Sequence, residues 1–379
     1  MADIDFGDFD AVLKDLEESR HAPGFIYCDP QVFKREKERI FMKDWLYVGR
    51  EEEVSDPGDF MTLRLVGEPV VLVRDREGTL RAFINMCLHR GVEVAEEACG
   101  NARAFRCPYH GWTYDLSGKL TGAQSMKDLP GFDMPNQSLR PVKLETWHGN
   151  IFICFDADPP PFKAFIQDLE ENFSFLRMDK CRMGFKLKIP FECNWKFAFE
   201  NLMDFYHVPV LHVKSFGSRV RWGNDGVELN KLGGCTINYT TSPSTPGGQP
   251  LLGKMPWLEH EDVTLGRAGY LQPSLSMFAR IDYAGPMVIW PIDETHCEVW
   301  IYRLFPEEVF QRPDIEEKLK VYHDFQITVL EEDRTMIESM QRAMKSRSYV
   351  PGRMAPLEKT VHHYLNSYIR RVFGPEEES

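Results

Sequence analysis

Two short loops carry the residues best suited to redox chemistry, Cys87-Leu-His89-Arg-Gly91 and Cys107-Pro-Tyr-His110-Gly111-Trp, with 17 residues between His89 and Cys107. Each loop offers one thiolate and one imidazole. A Rieske [2Fe–2S] centre takes that set, with both sulfurs on one iron and both nitrogens on the other, and its potential lies above that of an all-cysteine cluster. Zinc is the rival, since two Cys and two His also close a tetrahedral site. Zinc fingers pair Cys with Cys and place both His on a helix. Here each pair is mixed and sits in a loop with Gly and Pro108 beside it, residues that suit tight turns and a restricted backbone. The spacing favours the iron–sulfur centre, which passes one electron at a time.

A second constellation is Glu200-Asn-Leu-Met-Asp204-Phe-Tyr-His207-Val-Pro209-Val-Leu-His212. The pattern predicts a helix from Trp195 to Tyr206, and helical spacing puts Asn201, Asp204 and His207 along one stripe. Pro209 is expected to end that helix, so that His212 turns back to meet His207 at one metal. Two imidazoles and a carboxylate make the facial triad of a non-haem Fe(II) oxygenase, with positions left for dioxygen and substrate. The carboxylate must be distant in sequence. Asp225, Glu228, Asp262, Asp282, Asp293, Asp324, Glu331, Glu332 and Asp333 all qualify by type, and spacing does not choose among them. The plainer account, two hydrogen-bonded histidines, leaves the upstream centre without an electron acceptor.

These residues need a scaffold. A helix is expected from Pro30 to Met42, then β-structure through Phe60–Val66, Pro69–Arg74 and Gly149–Phe155, with turns at Arg76-Glu-Gly-Thr and Asp115–Gly118,. Asp158-Pro-Pro-Pro161 reads as a domain boundary,. The expected organisation is an N-terminal helical segment over 1–39 packing on the catalytic domain, a cluster domain over 40–157 and a catalytic domain over 158–379. In the last, Phe162–Leu176 reads as helical and Thr240–Pro250 as a loop bordering a pocket. Short strands are expected near Leu275–Ile281, Met287–Pro291 and Cys297–Phe305, with helices over 313–345 and 358–373. There is no repeat and no G-x-G-x-x-G fingerprint. Electrons are therefore expected from a separate protein rather than from a nicotinamide bound here.

A net charge of −13 argues against nucleic acid as a partner,. No apolar run is long enough to span a membrane, and the acidic start lacks the order of a secretory signal. Nine cysteines, two claimed by the cluster, are too few for a disulfide scaffold. The other seven are expected mostly as buried hydrophobes in a reducing, cytoplasmic compartment.

With both motifs in place, the chain resembles the catalytic α subunit of the Rieske non-haem iron oxygenases, the aromatic-ring-hydroxylating dioxygenase family, over nearly its whole length. Cys87, His89, Cys107 and His110 match the family's Cys-x-His-x17-Cys-x-x-His cluster ligands, and His207 and His212 match its Asp-x-x-His-x4-His iron motif. The resemblance implies Asp333, in Leu330-Glu-Glu-Asp333-Arg, as the third iron ligand, with Glu332 as runner-up. It implies that Asp204 bridges a cluster histidine of one subunit and an iron histidine of the next, hence a homotrimer, with or without β subunits. Asn201 is implied to lie near the iron and modulate it. The implied fold is α+β, an all-β Rieske domain followed by a helix-grip (START-like) domain whose antiparallel sheet curls around a long helix.

The implied cofactors are the [2Fe–2S] cluster and mononuclear Fe(II), with electrons drawn from NAD(P)H through a separate reductase or ferredoxin. The expected reaction is cis-dihydroxylation of a small aromatic substrate by dioxygen, with a mild preference for an aromatic carboxylate. The alternative is a monooxygenase performing hydroxylation or oxidative N- or O-demethylation with the same ligands. An electron-transfer ferredoxin would leave the second half of the chain unexplained, and a non-catalytic scaffold would leave the triad so. Arg219, Arg221, Arg267 and Arg280 are candidates to pair with a substrate carboxylate, though exposed arginines are the commoner outcome.

Overall fold

The structure, a computed structural model, describes residues 6–126 and 129–375. They form two compact units, one spanning Phe41–Phe162, the other combining the chain up to Ile40 with Lys163 onward.

The Phe41–Phe162 unit is β-rich. Its strands are β1 (Leu46–Arg50), β2 (Asp59–Leu65), β3 (Glu68–Arg74), β4 (Leu80–Ile84), β5 (Cys99–Asn101), β6 (Phe105–Arg106), β7 (Thr113–Tyr114), β8 (Leu120–Gly122), β9 (Pro141–Trp147) and β10 (Asn150–Cys154). Seven of them pair antiparallel in the order β1-β10-β9-β4-β3-β2-β5, and β6-β7-β8 make a small second sheet. The first ligand loop leaves β4 and the second joins β6 to β7. Phe60, Phe83, Phe105, Trp112, Tyr114 and Leu120 pack with Cys87 and Cys107 into one core, so the thiols sit on a fixed floor. The proline run stays inside this unit, where Pro160 O accepts from Trp45 Nε1 at 2.8 Å.

The second unit holds α1 (Pro30–Glu36), α3 (Gln167–Phe173), α4 (Trp195–Met203), α5 (Val208–Leu211), α6 (Ile315–Met344) and α7 (Lys359–Phe373), while the one-turn α2 (Phe162–Phe165) begins at the unit boundary. Its sheet runs in the order β11 (Cys181–Phe191), β17 (Cys297–Pro306), β16 (Ala284–Pro291), β15 (Leu275–Arg280), β14 (Leu265–Leu271), β13 (Cys235–Thr240) and β12 (Val227–Leu229), antiparallel throughout. The 30-residue α6 lies beside this sheet, as the α+β expectation required. Four of its strands, β11 to β14, went unread in the sequence. β11 alternates apolar and polar residues from Phe185 to Phe191 and pairs with β17 at 10 positions.

One element differs in a way that matters for the site. α4 stops at Met203 and does not run to Tyr206. Asp204 takes an extended conformation as its C-cap, and its Oδ1 accepts from Tyr206 N at 2.7 Å, the side-chain turn in which aspartate competes with a helix. Pro209 starts the short α5 rather than stopping a helix, since a first-turn proline forfeits no helical hydrogen bond. The turn that sets His212 against His207 is α5 itself, which the two histidines flank as its N-cap and C-cap.

α4 is fixed from beneath by a buried polar cluster. Glu36 accepts from Lys196 Nζ at 2.5 Å, Trp195 Nε1 at 2.8 Å and Tyr368 Oη at 2.5 Å, with Glu36 and Lys196 fully buried. Breaking one side of such a pair costs about 3–5 kcal/mol, which ties α1 and α7 to the helix that leads into the histidines. Tyr27 Oη adds bonds to both oxygens of Glu200, at 3.0 and 3.2 Å.

Candidate metal centres and substrate cavity

The two ligand loops close with one hydrogen-bond pattern. Cys87 N donates to Val92 O at 2.7 Å and Gly91 N to Cys87 O at 2.9 Å, while Cys107 N donates to Trp112 O at 2.8 Å and Gly111 N to Cys107 O at 3.0 Å. Gly91 and Gly111 both have positive φ, +77° and +72°, a conformation that glycine adopts without penalty. No atom crowds Gly91, so the turn itself requires the glycine. Cys87 and Cys107 are buried, whereas His89 and His110 are exposed with ring centroids 4.6 Å apart. His89 stacks on Trp112, and Tyr114 Oη lies 3.4 Å from Cys87 Sγ and accepts from Leu88 N. Two buried thiols below two paired, outward imidazoles fit the asymmetric ligand set of a Rieske cluster.

His207, His212 and Asp333 converge separately, their ligand atoms all within 4.8 Å of one another. The Nε2 atoms of the two rings are 3.3 Å apart. Asp333 Oδ1 stands 3.0 Å from His212 Nε2 and 3.5 Å from His207 Nε2. Each ring's other nitrogen is claimed by a carboxylate: His207 Nδ1 meets Asp204 Oδ2 at 3.1 Å, and His212 Nδ1 meets Glu332 Oε2 at 2.7 Å. Those bonds place the protons on Nδ1 and turn both Nε2 lone pairs inward. The buried Asp333 Oδ1 has no hydrogen-bond donor. Three facing acceptors without a proton between them call for a cation, and the donor set fits Fe(II). Without a cation, burial pulls His207 down, yet its bonds to Asp204 and Asp333 outweigh this and push it up to about 9. Burial pushes Asp333 up, but the His207 and His212 rings beside it hold it below the usual carboxylate range. A metal supplies the same positive charge in place of protons.

The structure thus brings Asp333 into the triad, while Glu332, adjacent on α6, instead orients His212 and accepts from Ser215 Oγ at 2.7 Å. The remaining acidic candidates lie outside this group. Asn201 and Asp204 line the cavity that opens at the triad without joining it. α6 contributes Phe325, Gln326, Val329, Leu330 and Asp333 to the same wall, the stripe that helical spacing prescribes. Phe205, Phe216, Tyr239, Phe278 and Tyr283 join Phe325 to give the lining six Phe and Tyr rings, and Ser244 of the 240–250 loop reaches it. Of the four arginines singled out by sequence, only Arg280 lines the cavity; Arg303, on the largely apolar strand β17, joins it unforeseen.

Residues 44–133 match the family model described as the Rieske [2Fe-2S] domain, and residues 178–374, more than half of the chain, match that of the ring hydroxylating alpha subunit (catalytic domain). The chain belongs to the Rieske non-haem iron oxygenases, as a catalytic alpha subunit. Among relatives of this oxygenase, the glycine betaine monooxygenase oxygenase subunit of Pseudomonas aeruginosa is 26% identical, covering 96% of this chain and 91% of its own. The carnitine monooxygenase oxygenase subunit of Acinetobacter baumannii is 29% identical over 86% of each. The biphenyl 2,3-dioxygenase subunit alpha of Rhodococcus jostii is 34% identical, but over 55% of this chain and 46% of its own. The fold is shared with the quaternary ammonium Rieske monooxygenase CntA (TM-score 0.79, 22% identity, 94% and 96% covered) and naphthalene 1,2-dioxygenase (TM-score 0.77, 21% identity, 98% and 95% covered).

The oxygenase therefore uses dioxygen and electrons from a separate reductase, and no helix among the described residues is long and apolar enough to cross a membrane. Bound to these ligands, the cluster supplies single electrons and the mononuclear iron activates dioxygen. The chain's own groups orient and enclose. Asp204 and Glu332 hold the histidine tautomers, and apolar side chains of the cavity wall stand beside the triad.

Proposed function

We propose that this oxygenase is a monooxygenase acting on a small quaternary ammonium compound, by oxidative N-demethylation or hydroxylation. The observation that carries this is coverage: similarity to the glycine betaine and carnitine monooxygenase subunits runs through nearly the whole chain, cavity-lining strands included. In N-demethylation one oxygen atom enters an N-methyl C–H bond and the carbon leaves as formaldehyde. The other oxygen atom leaves as water, with two electrons and two protons completing the balance.

Ring dihydroxylation of an aromatic compound is the second reading. It is favoured by the aromatic lining and by the higher identity to the biphenyl enzyme over its shorter match. The test supplies the iron-replete protein with a compatible reductase and NADH. It compares glycine betaine, carnitine and choline with biphenyl and benzoate. Formaldehyde or a hydroxylated ammonium product, formed in step with oxygen uptake, is expected. A cis-dihydrodiol from an arene, with no turnover of any ammonium compound, overturns the proposal.

For the assembly we infer a cyclic homotrimer, with or without β subunits, working in the cytoplasm with a reductase or ferredoxin that draws on NAD(P)H. Two exposed apolar groups support contacts with other chains. Met86, Leu88 and Tyr109 surround the cluster loops, and Tyr206, Val210 and Val213 surround the iron histidines. In this assembly Asp204 links His207 to a cluster histidine of the adjoining subunit.

A further inference from the structure

Two guanidiniums are buried in the wall of the cavity that holds the iron triad. Arg280, at the end of β15, is 7% exposed, and Arg303, on β17, is 4% exposed. Neither makes an ion pair among the described residues. Arg280 Nη1 donates to Tyr239 Oη at 2.5 Å and to Ala279 O at 3.0 Å, and its Nε, also buried, has no partner. Arg303 donates through Nη1 to Tyr302 O at 2.9 Å and through Nη2 to Gln326 Oε1 and, at 3.8 Å, Met287 Sδ. The acid whose charge reaches Arg280 is Asp282, which accepts from Tyr322 Oη at 2.5 Å and does not line the cavity. Both arginines stay charged, so two buried cations line one cavity with neutral hydrogen-bond partners only, and Asp282 is the acid that bears on Arg280 from outside that cavity.

Burying a charge without its counter-charge is costly, and an ion pair with satisfied hydrogen bonds offsets the cost. The missing charge is negative, and the guanidinium fork fits a carboxylate with two parallel bonds. The strand between the two arginines makes room for the Arg303 side chain. Gly285 on β16 pairs with Phe278 on β15, and a Cβ there would stand 2.8 Å from Arg303 Nη1 and 3.1 Å from the Tyr283 ring. Tyr239, Phe278 and Tyr283 take the cationic faces of Arg280 and Arg303 at 5.0–5.8 Å, so these rings hold the guanidiniums rather than a ligand cation.

We infer that Arg280 and Arg303 form a carboxylate-binding subsite that selects small carboxylate substrates. Combined with the N-methyl chemistry proposed above, on which this second step rests, the substrate is a zwitterion. Its carboxylate is held at the arginines and its methylated ammonium lies toward the triad, where Asp204, Glu332 and Asp333 concentrate negative charge.

The experiment measures ligand binding to the iron-replete holoenzyme by calorimetry and turnover with the same compounds. The ligands are glycine betaine and γ-butyrobetaine (both charges), choline (ammonium only), and 3,3-dimethylbutyrate and benzoate (carboxylate only). Arg280→Gln and Arg303→Gln are compared with wild type, with the Rieske absorption and iron content as checks on folding. Arg280→Lys and Arg303→Lys keep the charge and lose the fork, and serve if a glutamine variant fails to fold. Each glutamine change is expected to weaken the carboxylate ligands by about ten- to a hundredfold, leaving choline within about twofold or tighter. The lysine changes are expected to weaken the same ligands less, again sparing choline.

If 3,3-dimethylbutyrate or benzoate binds in an arginine-dependent way while no ammonium compound turns over, the subsite stands and the N-demethylation reading falls. If choline and the carboxylates weaken together, the arginines are structural and the inference is overturned. Failure of every carboxylate to bind wild type overturns it as well.

Discussion

His207 and His212 each carry a carboxylate on Nδ1, Asp204 for one and Glu332 for the other, while Asp333 alone faces both Nε2 atoms. Adjacent acids on one helix thus divide between orienting and ligating. Their separation of about 100° around the helix axis sends one to each side of the His212 ring. Asp333→Ala removes a ligand and is expected to leave the mononuclear site essentially iron-free after dialysis. Glu332→Gln keeps a hydrogen-bonding group and is expected to weaken iron by about ten- to a hundredfold, the usual cost of losing such a partner. Iron content per chain, measured against a chelator of graded strength, separates the two. Equal retention in both variants, or greater loss from the Glu332 change, would move the ligand role to Glu332.

At the scale of elements, the legible parts were those whose signal is local. The ligand loops announce themselves by type and spacing, and the histidines sit five apart. The long α6 shows its period over eight turns. Asp333 was not legible from spacing, because only the folded helix carries it to histidines more than a hundred residues upstream, and the family resemblance had to supply it. The alternation Phe185-Lys-Leu-Lys-Ile-Pro-Phe191 made β11 readable by the same local rule, whereas Arg303 was hidden for another physical reason. A strand buried on both faces shows no alternation, and a lone arginine in such a strand reads as an exception until the cavity is seen. α4 offers a test of its own footing. Burial, more than any other influence, pushes Glu200 up to about 7 from 4.5. Between those values the folded chain keeps a proton that the unfolded chain releases. Stability from this group is thus complete below about pH 4.5 and is lost as pH rises through 7, a loss of roughly 3 kcal/mol. Glu200→Gln still accepts from Tyr27 and does not titrate. It is expected to be the more stable protein at pH 8 and to lose most of the decline between pH 5 and 8, read from urea midpoints. Parallel pH profiles for variant and wild type would show that the buried carboxylate is already stabilised as the anion.

At the scale of the whole molecule, the chain holds its electron store and its oxygen site in separate compact units, and something must join them. The side chain of Asp204 touches His207 and is still 23% exposed, set beside the apolar group of Tyr206, Val210 and Val213. In the assembly we propose, that exposed edge receives a histidine from the neighbouring chain. Asp204→Asn keeps size and one acceptor oxygen but loses the charge. The [2Fe–2S] absorption, iron content and oligomeric mass are expected to be retained, while turnover falls by about a hundredfold or more. The decisive measurement is a single turnover of chemically reduced, iron-replete protein, with cluster reoxidation followed beside product. In the variant the cluster is expected to stay reduced long after wild type has reacted. Prompt reoxidation with full product yield would leave Asp204 as an orienting group for His207 and nothing more. Loss of iron, with reoxidation otherwise normal in the iron-bearing fraction, would assign it to metal retention within a single chain.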